Sequence, residues 1–256
     1  MDTNQLIGFY PGIIMLSTIL IFVLLLVVTP IVLSILLKKC NEEYLTYEES
    51  QADGVKSYLS IPQLLGKLFI KPKELIKNGE ITCYSDEDYR TWLYWGLTVI
   101  SILASLLVGE LRFSLSSLIT IVFTPLGIAI GRWFFVGIQT VLFRYVAGIK
   151  LSYDEGKNVF GPIYMANFIA NMVISFLCNR LIYLLGNSNL ILSVWISILS
   201  TLILFIWVNV LFYLLLKYRY KLGGGESVTK LVIMSLVEIG FFVALVIIAC
   251  IPMWLV

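Results

Sequence analysis

Six long apolar segments constrain this chain more than any other feature. A helix needs about 20 predominantly apolar residues to cross about 30 Å of hydrocarbon. The segments close to or above this length are Gly12–Leu37, Leu93–Gly109, Leu126–Ala147, Pro162–Leu185, Leu190–Leu216 and Leu231–Leu255. The sequence therefore predicts an all-α fold, a polytopic transmembrane helical bundle with about six spans.

The composition indicates that the protein lies in a membrane, and it argues against several classes of function. The chain is 59% hydrophobic and 13% charged, whereas a soluble domain is about 45–50% apolar and about 25% charged. The excess must face a lipid bilayer, the first predicted partner. A net charge of +2 gives no field to favour nucleic acid, and the absence of histidine removes the commonest general base and metal ligand.

No catalytic motif is present either. The sequence has no GxxxxGK[ST] phosphate loop, no HExxH and no GxSxG, each of which carries a known chemistry. We therefore predict no catalytic residue, no cofactor-binding residue and no metal site, and we expect a protein that is not an enzyme.

The first and third apolar segments each allow two interpretations. Gly12–Leu37 is longer than the apolar stretch of about 7–15 residues in a signal peptide, and Lys38 and Lys39 follow it, so we interpret it as a retained span. The third apolar run begins at Leu115 and contains Pro125. Either 114–124 is a re-entrant piece, or one tilted, kinked helix makes a single crossing, which we prefer.

Lysine and arginine predict the orientation. Fifteen of the 18 lie in 38–90, in the turn after the third span and in the turn after the fifth; the opposite side has Arg112 and Arg180, and Arg132 lies inside a span. Cytoplasmic loops are rich in such residues, so we predict a plasma-membrane protein with both termini outside. The predicted domains are an N-terminal helix at 1–37, a cytoplasmic loop at 38–92 and a five-helix membrane domain at 93–256.

The middle of the long loop has an amphipathic pattern. Within Ile61–Ile76, leucine, phenylalanine and isoleucine alternate with Lys67, Lys71 and Lys73. This pattern predicts a basic helix that lies on the inner leaflet and stops at Pro72. The alternative is a plain solvated linker.

Two turns share a pattern that suggests an internal repeat. Arg144–Ser152 aligns with Arg219–Ser227 at an offset of 75 residues, with Arg, Tyr, Gly and Ser in common. One interpretation is that spans three–four and five–six form a parallel repeat. The other is that both segments are simply favourable turns between two helices, because Gly suits a helix C-cap and Ser an N-cap.

The segment Phe69–Glu74 and the turn Arg144–Gly156 resemble the Yip1 family of multi-pass membrane proteins, in its bacterial form. The resemblance covers about Pro62–Val256, with Gly12–Leu37 as an added span. It implies an all-helical bundle without catalytic residues. Eukaryotic members are linked to membrane traffic and small GTPases, and some bacterial members to protection against antimicrobial peptides alongside an ABC exporter.

Polar side chains inside the spans are the candidate functional residues, because a charge in a span is costly. Arg132 and Glu238 could form a buried pair that acts as a relay or contacts a substrate; they could also fix the bundle, or Arg132 could snorkel outward. Asn167, Asn171 and Ser175 follow one face of span four. Gln139 and Asn209 are possible hydrogen-bond partners for that face. The face would either hold the bundle together through interhelical hydrogen bonds or line a water-filled cavity.

Small residues in span three could serve packing or an oligomer. Gly127 and Gly131 form a GxxxG pair, and Gly137 follows; such glycines allow close helix approach, within one chain or between two.

The sequence leaves two candidate functions for the protein. The first is a non-enzymatic scaffold or accessory protein in envelope stress or peptide protection, together with an ABC exporter. The second is a small transporter that uses Arg132 and Glu238.

Overall fold

A computed structural model describes residues 28–44, 58–108, 115–184 and 190–254. Within these ranges the chain forms helices, turns and loops and no strand. Three of its helices are long and apolar enough to cross a membrane: Ile121–Tyr145, Tyr153–Ile182 and Val194–Arg219. The predicted all-α class is confirmed for the described residues, and three helices have the length and hydropathy of membrane spans, while the count of six spans stays a prediction.

Nine α-helices are described. They are α1 (Thr29–Tyr44), α2 (Ile61–Ile70), α3 (Pro72–Lys77), α4 (Asp86–Thr91), α5 (Leu97–Val108), α6 (Leu115–Tyr145), α7 (Tyr153–Leu184), α8 (Leu190–Leu214) and α9 (Gly224–Trp254). A 3-10 turn follows α3, and π-helical turns join α4 to α5 and end α8.

The apolar third segment forms one helix. α6 runs without a break from Leu115 to Tyr145 and contains Pro125, so the re-entrant alternative is not what forms. Residues 12–27 of the first predicted span, Gly12–Leu37, lie outside the described residues. The helix that follows, α1, continues past Lys38 and Lys39 to Tyr44.

A single buried cluster, which we call the basal core, lies where the basic turns meet. It joins α2, α3 and α4 to the loop ends of α6, α7 and α8. Its fully buried members include Leu64, Leu68, Leu75, Ile76, Phe143, Phe160, Leu211 and Leu215. Aromatic rings in tilted and edge-to-face contact fill its centre: Phe143 lies 4.8 Å from Phe160 and 5.6 Å from Phe212, centroid to centroid.

The amphipathic helix predicted to lie on the inner leaflet packs on protein instead. α2 buries Ile61, Leu64 and Leu68 completely, and α2 lies against α7. The period of the apolar residues is as predicted, and the helix ends before Pro72, which begins α3. The opposite face of α2 is exposed at Pro62, Gln63 and Lys67, and at its end Ile70 is 80% exposed.

Glycines allow close helix approach within the chain. A Cβ on Gly131 would lie 2.8 Å from the Tyr164 hydroxyl of α7, and one on Gly137 would lie 2.7 Å from Leu33 of α1. Gly127, the other member of the GxxxG pair, has open space around it. Two of the three glycines therefore serve intramolecular packing.

The two turns of the suggested repeat close alike, but not at the predicted offset. In each, N–H groups bond carbonyls five and six residues back: Ala147 to Leu142, Ile149 to Phe143, Tyr220 to Leu215 and Leu222 to Leu216. The left-handed residue is Gly148 (φ 70°) in the first turn and Lys221 (φ 56°) in the second. These positions differ by 73 residues, so the offset of 75 is wrong for the turns, and the parallel repeat stays a prediction.

Serine also has different roles after the two turns. Ser152 precedes α7, and its hydroxyl accepts a hydrogen bond from Glu155 N at 3.1 Å, which is the N-cap contact that the S-x-x-E spacing predicts. Ser227 lies inside α9, which begins at Gly224, and its hydroxyl donates to Leu222 O at 3.5 Å. The sequence alignment therefore pairs an N-cap serine, Ser152, with a serine inside a helix, Ser227.

Candidate functional site

The three basic regions of the sequence meet at one end of the bundle. Lys230 Nζ donates to Ala147 O at 2.6 Å, and Arg219 Nη2 lies 3.6 Å from Glu155 Oε1. These contacts join the turn after α6 to the turn after α8. The long loop is joined to the same end, because the Tyr84 hydroxyl donates to Asn158 O at 3.1 Å.

Arg132 lies beside the long loop rather than beside Glu238. It is 13 residues, about 20 Å, before the end of α6. Its guanidinium carbon is 4.9 Å from the centre of the Tyr89 ring, a cation–π distance. Within the described residues no ion pair joins Arg132 to Glu238, so the predicted pair does not form there. The guanidinium contacts α4 instead, through the Tyr89 ring.

Two polar atoms at this contact are buried without a hydrogen-bond partner in the described residues. They are Arg132 Nε and the Tyr89 hydroxyl. The hydroxyl lies close enough to Arg132 for the guanidinium charge and a weak side-chain hydrogen bond to lower its pKa, although no atom pair between them meets strict hydrogen-bond geometry. Burial raises the pKa of Tyr89 and the nearby arginine opposes that rise only in part, so the phenol stays a neutral donor.

Tyr89 is held in place from several sides. Its ring lies 5.2 Å from that of Tyr84, and only 3% of the residue is exposed. Its hydroxyl lies against α7, where a Cβ on Gly161 would approach it to 2.6 Å. Gly161 therefore provides the space in which the hydroxyl sits, and a larger residue there would displace it.

Glu238 meets Gln139. Gln139 Nε2 donates to Glu238 Oε1 at 3.3 Å, which joins α9 to α6. Gln139 is 1% exposed, and its Oε1 is buried with no hydrogen-bond partner in the described residues. A protonated carboxyl group could donate a hydrogen bond to such an amide oxygen, and the contact can also simply fix two helices together.

The asparagines do not form one network. Asn209 Oδ1 accepts a hydrogen bond from Ser235 Oγ at 2.8 Å, which joins α8 to α9. Asn167 Oδ1 is buried without a partner in the described residues, while Asn171 is exposed. The polar face of span four is therefore split between the interior and the outer surface of the described structure.

An open apolar groove runs between α8 and α9. Its volume is about 680 Å³, and its lining residues are Val194, Ser197, Ile198, Thr201, Leu202, Phe205 and Ile239. Ser197 and Thr201 lie four residues apart, and Thr201 Oγ1 donates to Ser197 O at 2.9 Å. The lining hydroxyl of Thr201 is thus satisfied by its own helix, and the groove presents small and apolar groups.

Sequence reasoning missed Tyr89, Gly161 and Ser235. Tyr89 precedes the second apolar segment, and nothing in its neighbourhood marks it as the residue that meets Arg132. Ser235 carried a usable signal, because it is a hydroxyl within an apolar run and three residues before Glu238. In the described residues, no group of three or more His, Cys, Asp or Glu side chains could hold a metal ion.

Comparisons with protein-family models, with curated proteins and with solved structures find no match to this chain.

Proposed function

We propose that this protein is a non-enzymatic membrane scaffold or accessory protein that binds a transmembrane helix of a partner in the α8–α9 groove. The groove is the observation that carries the proposal. Its exposed side chains include Ile198, Leu202 and Phe205, and Ser197 and Thr201 supply the small-xxx-small spacing that lets helices approach closely in lipid.

The resemblance to the Yip1 family suggests the setting. In that setting the protein lies in a bacterial plasma membrane with both termini outside. It works in envelope stress or in protection against antimicrobial peptides, with an ABC exporter as the partner. The meeting of the basic turns at one end of the bundle supports this orientation, because basic loops favour the cytoplasmic side. A neighbouring exporter gene would support the partner.

The alternative is a small transporter that uses Arg132 and Glu238. The Gln139–Glu238 contact favours it, because an intramembrane carboxyl group is a candidate proton carrier. Its weakness is that Arg132 and Glu238 have separate neighbours in the described structure.

A whole-cell peptide-resistance assay separates the two functions. Leu202→Trp fills the groove, and we expect it to abolish resistance, whereas Glu238→Gln should leave resistance unchanged. Val232→Trp is the matched control, since Val232 is 50% exposed but does not line the groove. Loss of resistance in Glu238→Gln, with Leu202→Trp active, refutes the scaffold and supports the transporter.

Single cysteines test the orientation in a background without the four native cysteines. We expect Ser188→Cys to react with a membrane-impermeant maleimide on intact cells and Gly225→Cys to react only after lysis. Gly225 suits this use because it is exposed and has open space around it. The reverse pattern would refute the orientation.

A further inference from the structure

We propose that Lys73 and Lys217 bind the phosphate group of an anionic phospholipid whose acyl chains lie on the outer face of α8. The site lies where the start of α3 meets the π-helical end of α8. None of the residues that carry this proposal lines the α8–α9 groove, and the site does not involve Glu238. The proposal therefore goes beyond both proposed functions.

Two lysines share one tyrosine ring. Lys73 Nζ and Lys217 Nζ each lie 5.5 Å from the centre of the Tyr218 ring, so the two amines are at most twice that distance apart. Lys217 Nζ also donates to the Tyr213 hydroxyl at 3.2 Å. An aromatic face attracts an ammonium group but does not neutralise it, and two like charges this close repel each other. An anion beside this ring is attracted by both amines.

The charge of the two lysines is not neutralised by the protein. Within the described residues, neither Lys73 nor Lys217 forms an ion pair with a carboxylate. Glu74, the acidic residue next to Lys73, pairs with Lys71 at 3.4 Å. Lys73 is exposed and Lys217 is partly exposed, so a ligand can reach both. The pair is therefore an open positive site that suits a phosphate group.

An exposed apolar stripe on α8 leads to Lys217. Ile203, Ile206 and Val210 are 58%, 54% and 47% exposed, and they are spaced three and four residues apart, as residues on one helix face are. Tyr213 and Lys217 continue this spacing. Because α8 is long and apolar enough to cross a membrane, the stripe faces acyl chains in a bilayer. Val210 is seven residues before Lys217, or about 10 Å, so a lipid on the stripe has its headgroup beside the lysine.

The end of α2 and the start of α3 complete the site. The Phe69 ring stacks on that of Trp207 in α8, with centroids 5.2 Å apart, and the neighbouring Ile70 is 80% exposed. The next helix, α3, brings Lys73 to Tyr218. Apolar groups thus lie toward the middle of the span and basic groups toward its end. This order matches the acyl chains and the headgroup of an anionic lipid.

Native mass spectrometry of the purified full chain in detergent tests the proposal, with phosphatidylglycerol, phosphatidylcholine or inorganic phosphate added. We expect the wild type to retain phosphatidylglycerol in preference to phosphatidylcholine. Lys73→Gln and Lys217→Gln should each retain about fivefold less phosphatidylglycerol, since one basic residue near an anionic lipid surface contributes about 1 kcal/mol. The double variant should lose more than either, and Lys217→Arg, which keeps the charge, should bind as the wild type does. Lys73 is exposed, so Lys73→Gln answers the question even if Lys217→Gln misfolds.

Lys157→Gln is the matched control. Lys157 Nζ also lies over a tyrosine ring, 5.4 Å from the centre of the Tyr153 ring, but it pairs with Asp154. We expect this variant to retain as much phosphatidylglycerol as the wild type does.

Three results would overturn the proposal. Equal retention of phosphatidylglycerol in the wild type and the double variant, or an equal loss in Lys157→Gln, would refute the site. Equal retention of phosphatidylcholine and phosphatidylglycerol by the wild type would refute the selection of an anionic headgroup. Lysine-dependent retention of inorganic phosphate without lipid would refute the lipid source. The resistance assay on Leu202→Trp is independent of all three results.

Discussion

The basal core and the α8–α9 groove use the same kinds of side chain in opposite ways. Phe143 and Phe160 are completely buried in the core, whereas Leu202 and Phe205 are 49% and 38% exposed along the groove. In lipid there is little hydrophobic gain from packing one apolar helix on another. The chain therefore concentrates its protein–protein packing at the basic end and leaves apolar surface along the spans.

The difference extends to how the helices are linked. Short helices α2 and α3 cover the core and pack on the loop ends of α7 and α8. Beyond that end, α9 is joined to its neighbours by single polar contacts, Gln139–Glu238 and Asn209–Ser235. Substitutions should therefore be costly in the core and mild at the groove, which four measurements can test.

The largest effect is expected from Phe143→Ala. Phe143 is fully buried between the Phe160, Phe212 and Tyr220 rings, and the cavity should lower the free energy of unfolding by about 3–5 kcal/mol. The melting temperature in detergent measures it. Phe205→Ala in the groove is the control and should change it little; equal losses would refute the contrast.

Gly156→Ala should come next. Its Cβ would overlap Thr140 of α6, so α6 and α7 must separate at a cost of about 1–3 kcal/mol. Gly127→Ala, where the Cβ meets nothing, should be neutral or stabilising by up to about 1 kcal/mol. If the two variants melt at the same temperature, close packing of α6 on α7 is wrong.

Ser235→Ala removes the hydrogen bond that links α9 to Asn209. Interhelical bonds of this kind are worth about 0.6 kcal/mol on average, so we expect a small loss of thermal stability. Ser200→Ala, whose hydroxyl donates to Ser197 O of its own helix, should have no larger effect. A loss above about 2 kcal/mol in Ser235→Ala would show that α9 is fixed far more firmly than the contacts indicate.

The smallest effect concerns Glu80, at the edge of the core. The hydrogen bond from Lys67 Nζ, at 2.6 Å, lowers the pKa of Glu80 below its usual 4.5. A lowered pKa means that the pair stabilises the fold above about pH 4.5 and that this is lost as the pH falls further.

Melting temperatures of wild type and Glu80→Gln should therefore differ at pH 7 and converge near pH 3, by an amount below about 1 kcal/mol because the pair is exposed. Glu74→Gln, which removes the more exposed ion pair with Lys71, is the control. A difference that grows as the pH falls would contradict the assigned role of Glu80.

The pattern of α2 illustrates what local sequence can provide. The spacing of Leu64 and Leu68 predicted a helix with one apolar face, and the helix forms. Periodicity reports which residues share a face, but it does not report which surface that face meets. Lipid, water and protein were all possible, and α7 is the surface that covers it.

Arg132 and Glu238 illustrate the other limit. The sequence placed both inside spans and suggested that they pair. Gln139, which Glu238 meets, lies seven residues further along α6 than Arg132, or about 10 Å. An axial shift of two turns between α6 and α9 decides which residue meets the carboxyl group, and nothing in the hydropathy of either helix sets that shift.

By itself the sequence determined the helical class, the approximate limits of the long helices and the polar residues within them. These follow from properties that are read along one segment at a time: apolar length, period and charge. Only the tertiary structure decided that α2 covers the bundle end, that Arg132 meets Tyr89 and that Glu238 meets Gln139. Each of those contacts depends on the rotation and axial position of one helix relative to another, and these are set by packing across the whole bundle.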